Sequence, residues 1–204
     1  MLYVFLALLS AALFGAATPF SKALLSTFDP FQLAGLLYLG AAIGASGLAF
    51  RKHPYTVPWR MDRKNQARLA GAIFFGGVLA PLLLLLGLRA ASAASVSLWL
   101  PLELVATAIL GTVLFRDHLG RLGWLGMAGV LAAGILLSLG EKNAGALTGL
   151  LVLGACFSWG FDNNFTALID GITPAQSTFW KGIVAGTVNL AIGLSSNEFA
   201  GTLL

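Results

Sequence analysis

Long apolar segments recur along the whole chain, and they constrain its fold more than any other feature of the sequence. About seven runs of roughly 20 residues are each long enough to cross the hydrocarbon core of a bilayer, which is about 30 Å thick. Hydrophobic residues make up 58% of the 204 residues and charged residues only 10%, which leaves too little polar surface to cover a soluble core. The sequence therefore predicts an all-α, polytopic membrane protein.

Short turns separate the predicted spans, except for one longer basic segment between the second and the third. The approximate bounds of the spans are Leu2–Leu24, Phe31–Phe50, Leu69–Leu88, Ser95–Phe115, Leu122–Leu139, Ala146–Ile169 and Pro174–Ser195, with residues 196–204 predicted as a loop followed by the first residues of an unfinished segment. No Lys or Arg precedes the first span, which argues against a cleaved signal peptide. The second span contains Gly40-x-x-x-Gly44, a spacing of small residues that lets membrane helices approach closely.

The distribution of Lys and Arg predicts which membrane face is cytoplasmic. The segment Arg51–Arg68 carries six basic residues and the loop Arg116–Arg121 carries two, whereas two loops on the opposite side carry one each, Arg89 and Lys142. Cytoplasmic loops are enriched in Lys and Arg, so we expect a multi-pass protein of the inner cell membrane with a cytoplasmic N-terminus. Nucleic-acid binding and anionic-lipid binding are two alternatives for the basic segment, but the positive-inside rule explains its charge as that of a cytoplasmic loop. Its two prolines and its lack of an aromatic stacking pattern argue against nucleic acid, so we expect membrane lipid as a partner and no nucleic acid.

Two charged residues lie inside predicted spans at matching depths. Asp162 is seven residues before the end of the sixth span, and Lys181 is seven residues after the start of the seventh. At a rise of about 1.5 Å per residue, both lie roughly 10 Å from the same membrane face. A charge at that depth is costly unless it is paired or faces a wet cavity. We therefore predict that the two side chains interact, either as a structural ion pair or within a substrate or gating site.

Other residues at membrane depth are candidates for contact with a small-molecule substrate. Glu103 lies eight residues into the fourth span, where a carboxylate serves either proton or cation coupling or a helix–helix contact. Asn163 either contacts the substrate or simply hydrogen-bonds across helices, which is the commonest use of amides in membranes. Trp99 and Trp159 either line a cavity or pack against neighbouring helices. The candidate substrate-binding residues are therefore Glu103, Trp99, Trp159, Asp162, Asn163 and Lys181.

A weak internal repeat predicts how the spans are arranged. The segment Asp29-Pro30-Phe31-Gln32 matches Thr173-Pro174-Ala175-Gln176 at an offset of 144 residues. This offset includes an odd number of predicted spans, so the second copy enters the membrane in the opposite sense. Inverted repeats of this kind place the substrate site of secondary transporters near the bilayer midplane. We therefore expect a first unit of five helices at residues 1–140 and the first two helices of a second unit at residues 141–204.

Three parts of the chain resemble EamA-type proteins of the drug/metabolite transporter superfamily. Residues 92–108 resemble that family's fourth helix, in which a serine-rich start leads to a Leu-Glu-Pro-like segment, although Leu104 stands in place of the proline. Residues 114–120 are similar to the family's Phe-Gly-Glu-x-Leu helix end. The start of the family's second repeat resembles Asp162-Asn163-Asn164 with Lys181-Gly182 and Asn189. The resemblance implies a ten-helix, 5+5 inverted repeat around a central cavity, so that missing C-terminal helices or a second chain would complete the bundle.

The same resemblance implies a permease that works by alternating access and often exports amino acids or drugs. We therefore interpret the chain as a secondary transporter that moves a small metabolite across the inner membrane. The alternative is a non-transporting membrane fragment or scaffold that needs a partner to complete the bundle. An enzyme is not expected, because the sequence lacks His-Glu-x-x-His, Gly-x-Ser-x-Gly and clustered metal ligands. We accordingly assign no catalytic residue, no metal and no cofactor.

Overall fold

The chain is helical throughout the part that the computed structural model describes, which comprises residues 2–51, 55–138 and 145–201. Its helices are α1 (Leu2–Leu24), α2 (Pro30–Ala49), α3 (Arg63–Ala72), α4 (Ala80–Ala90), α5 (Ala93–Trp99), α6 (Leu102–Val113), α7 (Arg121–Ser138), α8 (Ala146–Ala167) and α9 (Pro174–Gly201). A 3₁₀ turn, Pro58–Arg60, precedes α3, and a π-helical segment, Ile73–Leu79, joins α3 to α4. The described ranges contain no β-strand, so the predicted all-α class is confirmed.

Several of these helices have the length and composition of membrane spans. Within the described ranges, four stretches are long and apolar enough to cross a bilayer: Val4–Leu24, Pro30–Ala49, Arg63–Ala90 and Ala93–Val113. A shorter apolar helix covers Arg121–Leu136. Helices α8 and α9 have 22 and 28 residues, but they carry charged and amide side chains that lower their hydropathy. The chain is therefore a multi-pass membrane protein, as predicted.

The third span begins earlier than the sequence predicted. Residues 63–68 were expected in a loop, yet α3 starts at Arg63. Asp62 caps this helix by accepting hydrogen bonds from the backbone N–H groups of Lys64 and Asn65. The backbone N–H of Asn65 also holds the pKa of Asp62 below its usual range. The N-cap at Asp62 thus starts the helix within the predicted loop, so that residues 63–68 are helical.

Two further boundaries differ from the prediction. The fourth span is interrupted between Trp99 and Leu102, because Pro101 has no N–H to continue the helical ladder. Helix α9 continues to Gly201, whereas a loop was predicted from residue 196. The predicted end of the fifth span at Leu139 and the basic residue Lys142 lie outside the described residues.

The most extensive contact between helices joins α2 and α9. Glycines let their backbones approach closely, since a Cβ on Gly35 would lie 2.6 Å from a backbone nitrogen of α9. A Cβ on Gly182 would likewise lie 2.6 Å from the carbonyl oxygen of Tyr38. Gly40 and Gly44 have nothing within 4 Å of their Cβ positions. The predicted small-residue pair therefore makes no close helix contact within the described residues.

The first turns of α2 and α9 contain equivalent glutamines, and each glutamine forms a hydrogen bond with the other helix. Gln32 Nε2 donates to the carbonyl oxygen of Gly193 at 3.4 Å, and Gln176 Nε2 donates to that of Ala49 at 3.3 Å. Each glutamine Oε1 accepts from the backbone N–H of its own N-cap residue, at 3.4 and 3.2 Å. The two hydrogen bonds are equivalent under the repeat. The donors, Gln32 and Gln176, are 144 residues apart, and so are the residues that accept, Ala49 and Gly193.

Candidate functional site

Asp162 of α8 and Lys181 of α9 form the ion pair that the sequence predicts. Lys181 Nζ lies 2.8 and 2.9 Å from the two carboxylate oxygens of Asp162, and the Thr166 hydroxyl donates to the same carboxylate at 2.9 Å. The exposed fraction is 9% for the Asp162 side chain and 17% for that of Lys181. The α8–α9 hairpin turns at Gly171, whose φ of 76° suits glycine. The prediction that the two side chains interact is therefore confirmed.

The carboxylate of Asp162 lies directly against Gly76 in the π-helical segment. A Cβ at position 76 would overlap the carboxylate, so only glycine fits there. The segment is fixed against α8 by aromatic stacking, since the rings of Phe75 and Phe161 are 4.8 Å apart between centroids and inclined by 26°. π-Helical turns inside α-helices occur frequently at functional sites. The ion pair is therefore built against an irregular stretch of a membrane-spanning helix.

A proline explains why this stretch needs donors from elsewhere. The N–H of Ala80 donates to the carbonyl oxygen of Phe75, which is an i→i+5 hydrogen bond. In that register the carbonyl of Gly76 faces the nitrogen of Pro81, and in the ordinary α-helical register the carbonyl of Gly77 faces it. Proline has no N–H. The helix itself therefore leaves a backbone acceptor without a donor at membrane depth.

Side chains of α2 and α9 supply these donors. The hydroxyl of Tyr38 donates to the carbonyl oxygen of Gly76, and Asn189 Nδ2 donates to that of Gly77 at 3.0 Å. Asn189 is completely buried, and its Oδ1 has no hydrogen-bond partner among the described residues. Sequence reasoning missed Tyr38 and used Asn189 only for the family resemblance. The sequence did contain a signal that this span needs donors from other helices, namely the adjacent Gly76 and Gly77 followed by Pro81.

Glu103 of α6 contacts the opposite flank of α8. Asn163 Nδ2 donates to Glu103 Oε1 at 3.0 Å and to the Thr107 hydroxyl at 3.1 Å. Asn164 Nδ2 donates to the Thr107 carbonyl oxygen at 3.0 Å. The side chain of Asn163 is exposed and that of Glu103 is half-buried. A polar edge with one carboxylate thus remains open on this flank of the bundle.

A cavity of about 250 Å³ continues from this edge between α6 and α8. Its polar lining consists of Thr107, Thr112, Asp117, His118, Asn163 and Asn164. Hydroxyl, amide and carboxylate groups of this kind bind small polar molecules through hydrogen bonds. Within the described ranges, no group of three or more His, Cys, Asp or Glu residues is arranged to hold a metal ion.

The two candidate tryptophans lie in different surroundings. Trp159 lines a cavity of about 150 Å³ together with Tyr38 and residues of α1 and α4. Trp99 lines a separate apolar cavity of about 360 Å³ together with residues of α6, α7 and α8, and its ring also packs against Gly149. That glycine precedes Asn163 by fourteen residues on α8, which is about 20 Å along the helix axis. The structure therefore gathers the other five candidates around the C-terminal half of α8 and leaves Trp99 apart from them.

Comparison with known proteins assigns the chain to a family. The chain is 26% identical over 178 residues to an uncharacterized transporter from Methanothermobacter thermautotrophicus. The aligned region covers 79% of this chain and 52% of that protein. The chain therefore spans about half the length of this curated relative. No solved structure matches the chain. Residues 1–139 match the EamA-like transporter family. Because this match covers more than half of the sequence, the chain belongs to the EamA-like transporter family.

Proposed function

We propose that this protein is a secondary transporter that moves a small metabolite, an amino acid or a drug-like compound, across the cell membrane by alternating access, and that it works as an exporter. The buried ion pair of Asp162 and Lys181 carries this proposal. Charged side chains inside membrane helices are rare and mark substrate and ion pathways. Family membership and the relative's description as a transporter support transport rather than catalysis.

The proposed site uses both flanks of α8. Glu103 has one oxygen held by Asn163, and its partial exposure leaves the carboxylate accessible to a proton, a cation or an amine. An amino acid carries the same two charged groups as the ion pair, so it can exchange partners with Asp162 and Lys181 when the pair opens. Trp159 supplies an apolar wall to a cavity that it shares with Tyr38. Trp99 lines a separate apolar cavity, so any contact that it makes with substrate would lie away from the charges.

We also propose that two inverted units, residues 1–140 and residues 141–204, meet at this site, with the N-terminus in the cytoplasm. The reciprocal hydrogen bonds of Gln32 and Gln176 support the repeat, because the same offset of 144 residues relates both their donors and their acceptors. The boundary between the units falls outside the described residues. The excess of basic residues in the segment Arg51–Arg68 supports the orientation.

Further membrane helices are the proposed partner of the open polar edge. Glu103 and Asn163 remain accessible on the α6–α8 flank, and lipid cannot satisfy polar groups of this kind. Additional helices, either in a second chain or in a longer form of this one, would cover them. A non-transporting scaffold that waits for such a partner is the alternative function, and the same open edge favours it.

Uptake into sealed, inside-out membrane vesicles tests the proposal. Vesicles from cells that produce the protein should accumulate at least one compound from a panel of labelled amino acids and drug-like molecules when a proton gradient is imposed. Asp162→Asn should reduce the initial rate by about tenfold or more, since it leaves Lys181 without a counter-ion. Asp29→Asn is the matched control, because it makes the same change in the N-cap of α2 and asparagine also caps helices.

One result would contradict transport and favour the scaffold: a folded, membrane-inserted protein whose vesicles accumulate no compound above vesicles that lack it. Equal accumulation with and without Asp162→Asn would instead contradict the role of the ion pair in transport.

A further inference from the structure

An aromatic groove opens beside the basic segment, at the membrane face where α3 and α9 begin. Its volume is about 340 Å³, and its walls are Pro58, Trp59, Gln66, Leu69, Ala70, Ile73, Trp180 and Val184. The rings of Trp59 and Trp180 meet edge to face, with centroids 5.8 Å apart. Along α3 the groove extends from Gln66 to Ile73, which is about 10 Å. The walls are apolar or aromatic except at Gln66.

Three cations beside the groove have no anionic partner among the described residues. Arg60 ends the 3₁₀ turn, Arg63 and Lys64 begin α3, and all three are exposed. The neighbouring carboxylate of Asp62 is occupied by the helix, since it accepts from the backbone N–H groups of Lys64 and Asn65 at 3.1 and 3.2 Å and from the Asn65 amide at 2.6 Å. The mouth of the groove therefore carries a net positive charge, with three cations against the one carboxylate of Asp62.

A wall residue of the groove also carries a hydrogen-bond donor that lacks a partner. The indole Nε1 of Trp180 is buried and has no acceptor in the part of the chain that the structure describes. Trp180 lies six residues after the start of α9, or about 9 Å along the helix. Buried donors are nearly always paired, so an unpaired one calls for an explanation such as a bound molecule that supplies the acceptor.

We propose that this groove, between the 3₁₀ turn, α3 and α9, binds one anionic phospholipid. Its phosphate would lie at Arg60 and Arg63, where a guanidinium group can bind two phosphate oxygens at once. An ester carbonyl would accept the hydrogen bond from Trp180, and an acyl chain would follow the apolar walls of α3 and α9. From the membrane face inwards, the groove presents first the cations, then the indole N–H and then the apolar walls. A phospholipid presents its phosphate, its ester and its acyl chain in the same order. A soluble anion would leave the apolar part of the groove unfilled.

Native mass spectrometry of the full chain, released from micelles that contain phospholipid, tests this proposal. Phosphatidylglycerol should bind more tightly than phosphatidylcholine with the same acyl chains. The double variant Arg60→Gln/Arg63→Gln should weaken phosphatidylglycerol binding by about 30-fold, as expected for the loss of two cations at a lipid surface. The control Arg116→Gln/Arg121→Gln removes the same charge from two other exposed positions, between α6 and α7 and at the start of α7, and should leave the affinity unchanged.

The role of the indole N–H has its own test. Trp180→Phe keeps an aromatic ring but removes the donor, and it should weaken both lipids by about fivefold because both contain ester carbonyls. Brominated phosphatidylglycerol should also quench the tryptophan fluorescence of the unaltered protein more than brominated phosphatidylcholine does, a readout that needs no variant. Equal binding of the two lipids would overturn the proposal. An equal loss of affinity in the control double variant would do so as well.

Discussion

Lys181 Nζ lies 2.8 Å from one carboxylate oxygen of Asp162 and 2.9 Å from the other, with more than four-fifths of each side chain buried. The two residues lie at the same depth because Asp162 is seven residues before the predicted end of its span and Lys181 is seven residues after the predicted start of the next. A tight hairpin between the spans then brings the two side chains together. The two charges need one another at that depth, since neither finds water there. The pair therefore couples the position of α8 to that of α9.

Removing either Asp162 or Lys181 alone should lower the stability of the protein more than removing both. Asp162→Asn or Lys181→Met leaves a buried charge unpaired, which typically costs about 3–5 kcal/mol, whereas the double variant leaves none. We expect lower folded yield and a lower unfolding temperature in mild detergent for each single variant than for the double. Strictly additive losses would show that the two side chains do not interact in solution.

The donor that Asn189 supplies to Gly77 should become less important when proline is removed. Asn189→Ala leaves the buried carbonyl without this donor, and we expect a loss of about 1–3 kcal/mol in the free energy of unfolding. Pro81→Ala restores a backbone N–H, so it should reduce the cost of Asn189→Ala when the two are combined. Denaturant titration of the four proteins measures this coupling. An unchanged cost in the Pro81→Ala background would contradict the assigned role.

The fit of Asp162 against Gly76 can be tested by adding one methyl group. Gly76→Ala forces the carboxylate away and should lower stability by about 1–3 kcal/mol, in line with other overpacked sites. Gly44→Ala is the matched control, because nothing lies within 4 Å of its Cβ position and alanine favours helix over glycine. Thermal unfolding followed by fluorescence checks both variants. Similar losses at the two positions would show that crowding at Gly76 is not the cause.

The sequence was sufficient for features that depend on composition or on distance along one helix. The all-α membrane class follows from the apolar runs, and the Asp162–Lys181 contact follows from equal depth in consecutive helices. The capping glutamines Gln32 and Gln176 were visible as a repeat, although their contacts with the opposite helix were not. Hydrogen bonds of this kind depend on how α2 crosses α9, which no local pattern specifies.

Residues that act on other spans were harder to find. Tyr38 reaches the Gly76 carbonyl only because the π-helical segment turns that carbonyl toward α2. The pattern around Gly40 and Gly44 indicates that some helix can approach, but it does not say which face meets a partner. Helices α2 and α9 approach each other closely at Gly35 and Gly182 instead, outside that pattern. Interhelical partners are set by tertiary packing, and a single sequence carries little of that information.

The proposed orientation predicts which positions react from outside the cell. Single cysteines introduced by Arg60→Cys and by Thr27→Cys lie at opposite ends of the bundle, and both positions are exposed. The native Cys156 is buried and serves as an internal background. A membrane-impermeant maleimide should label Thr27→Cys in intact cells and should label Arg60→Cys only after lysis. The reverse pattern would invert the topology.

Substrate counterflow tests alternating access most directly. Proteoliposomes preloaded with an unlabelled compound that the vesicle panel has identified should take up the labelled form faster than empty proteoliposomes, and the tracer should pass through a transient maximum. A carrier behaves in this way because loaded sites return faster than empty ones. Asp162→Asn should abolish this acceleration. Uptake that is independent of the internal compound, or absent from a well-folded preparation, would contradict the account.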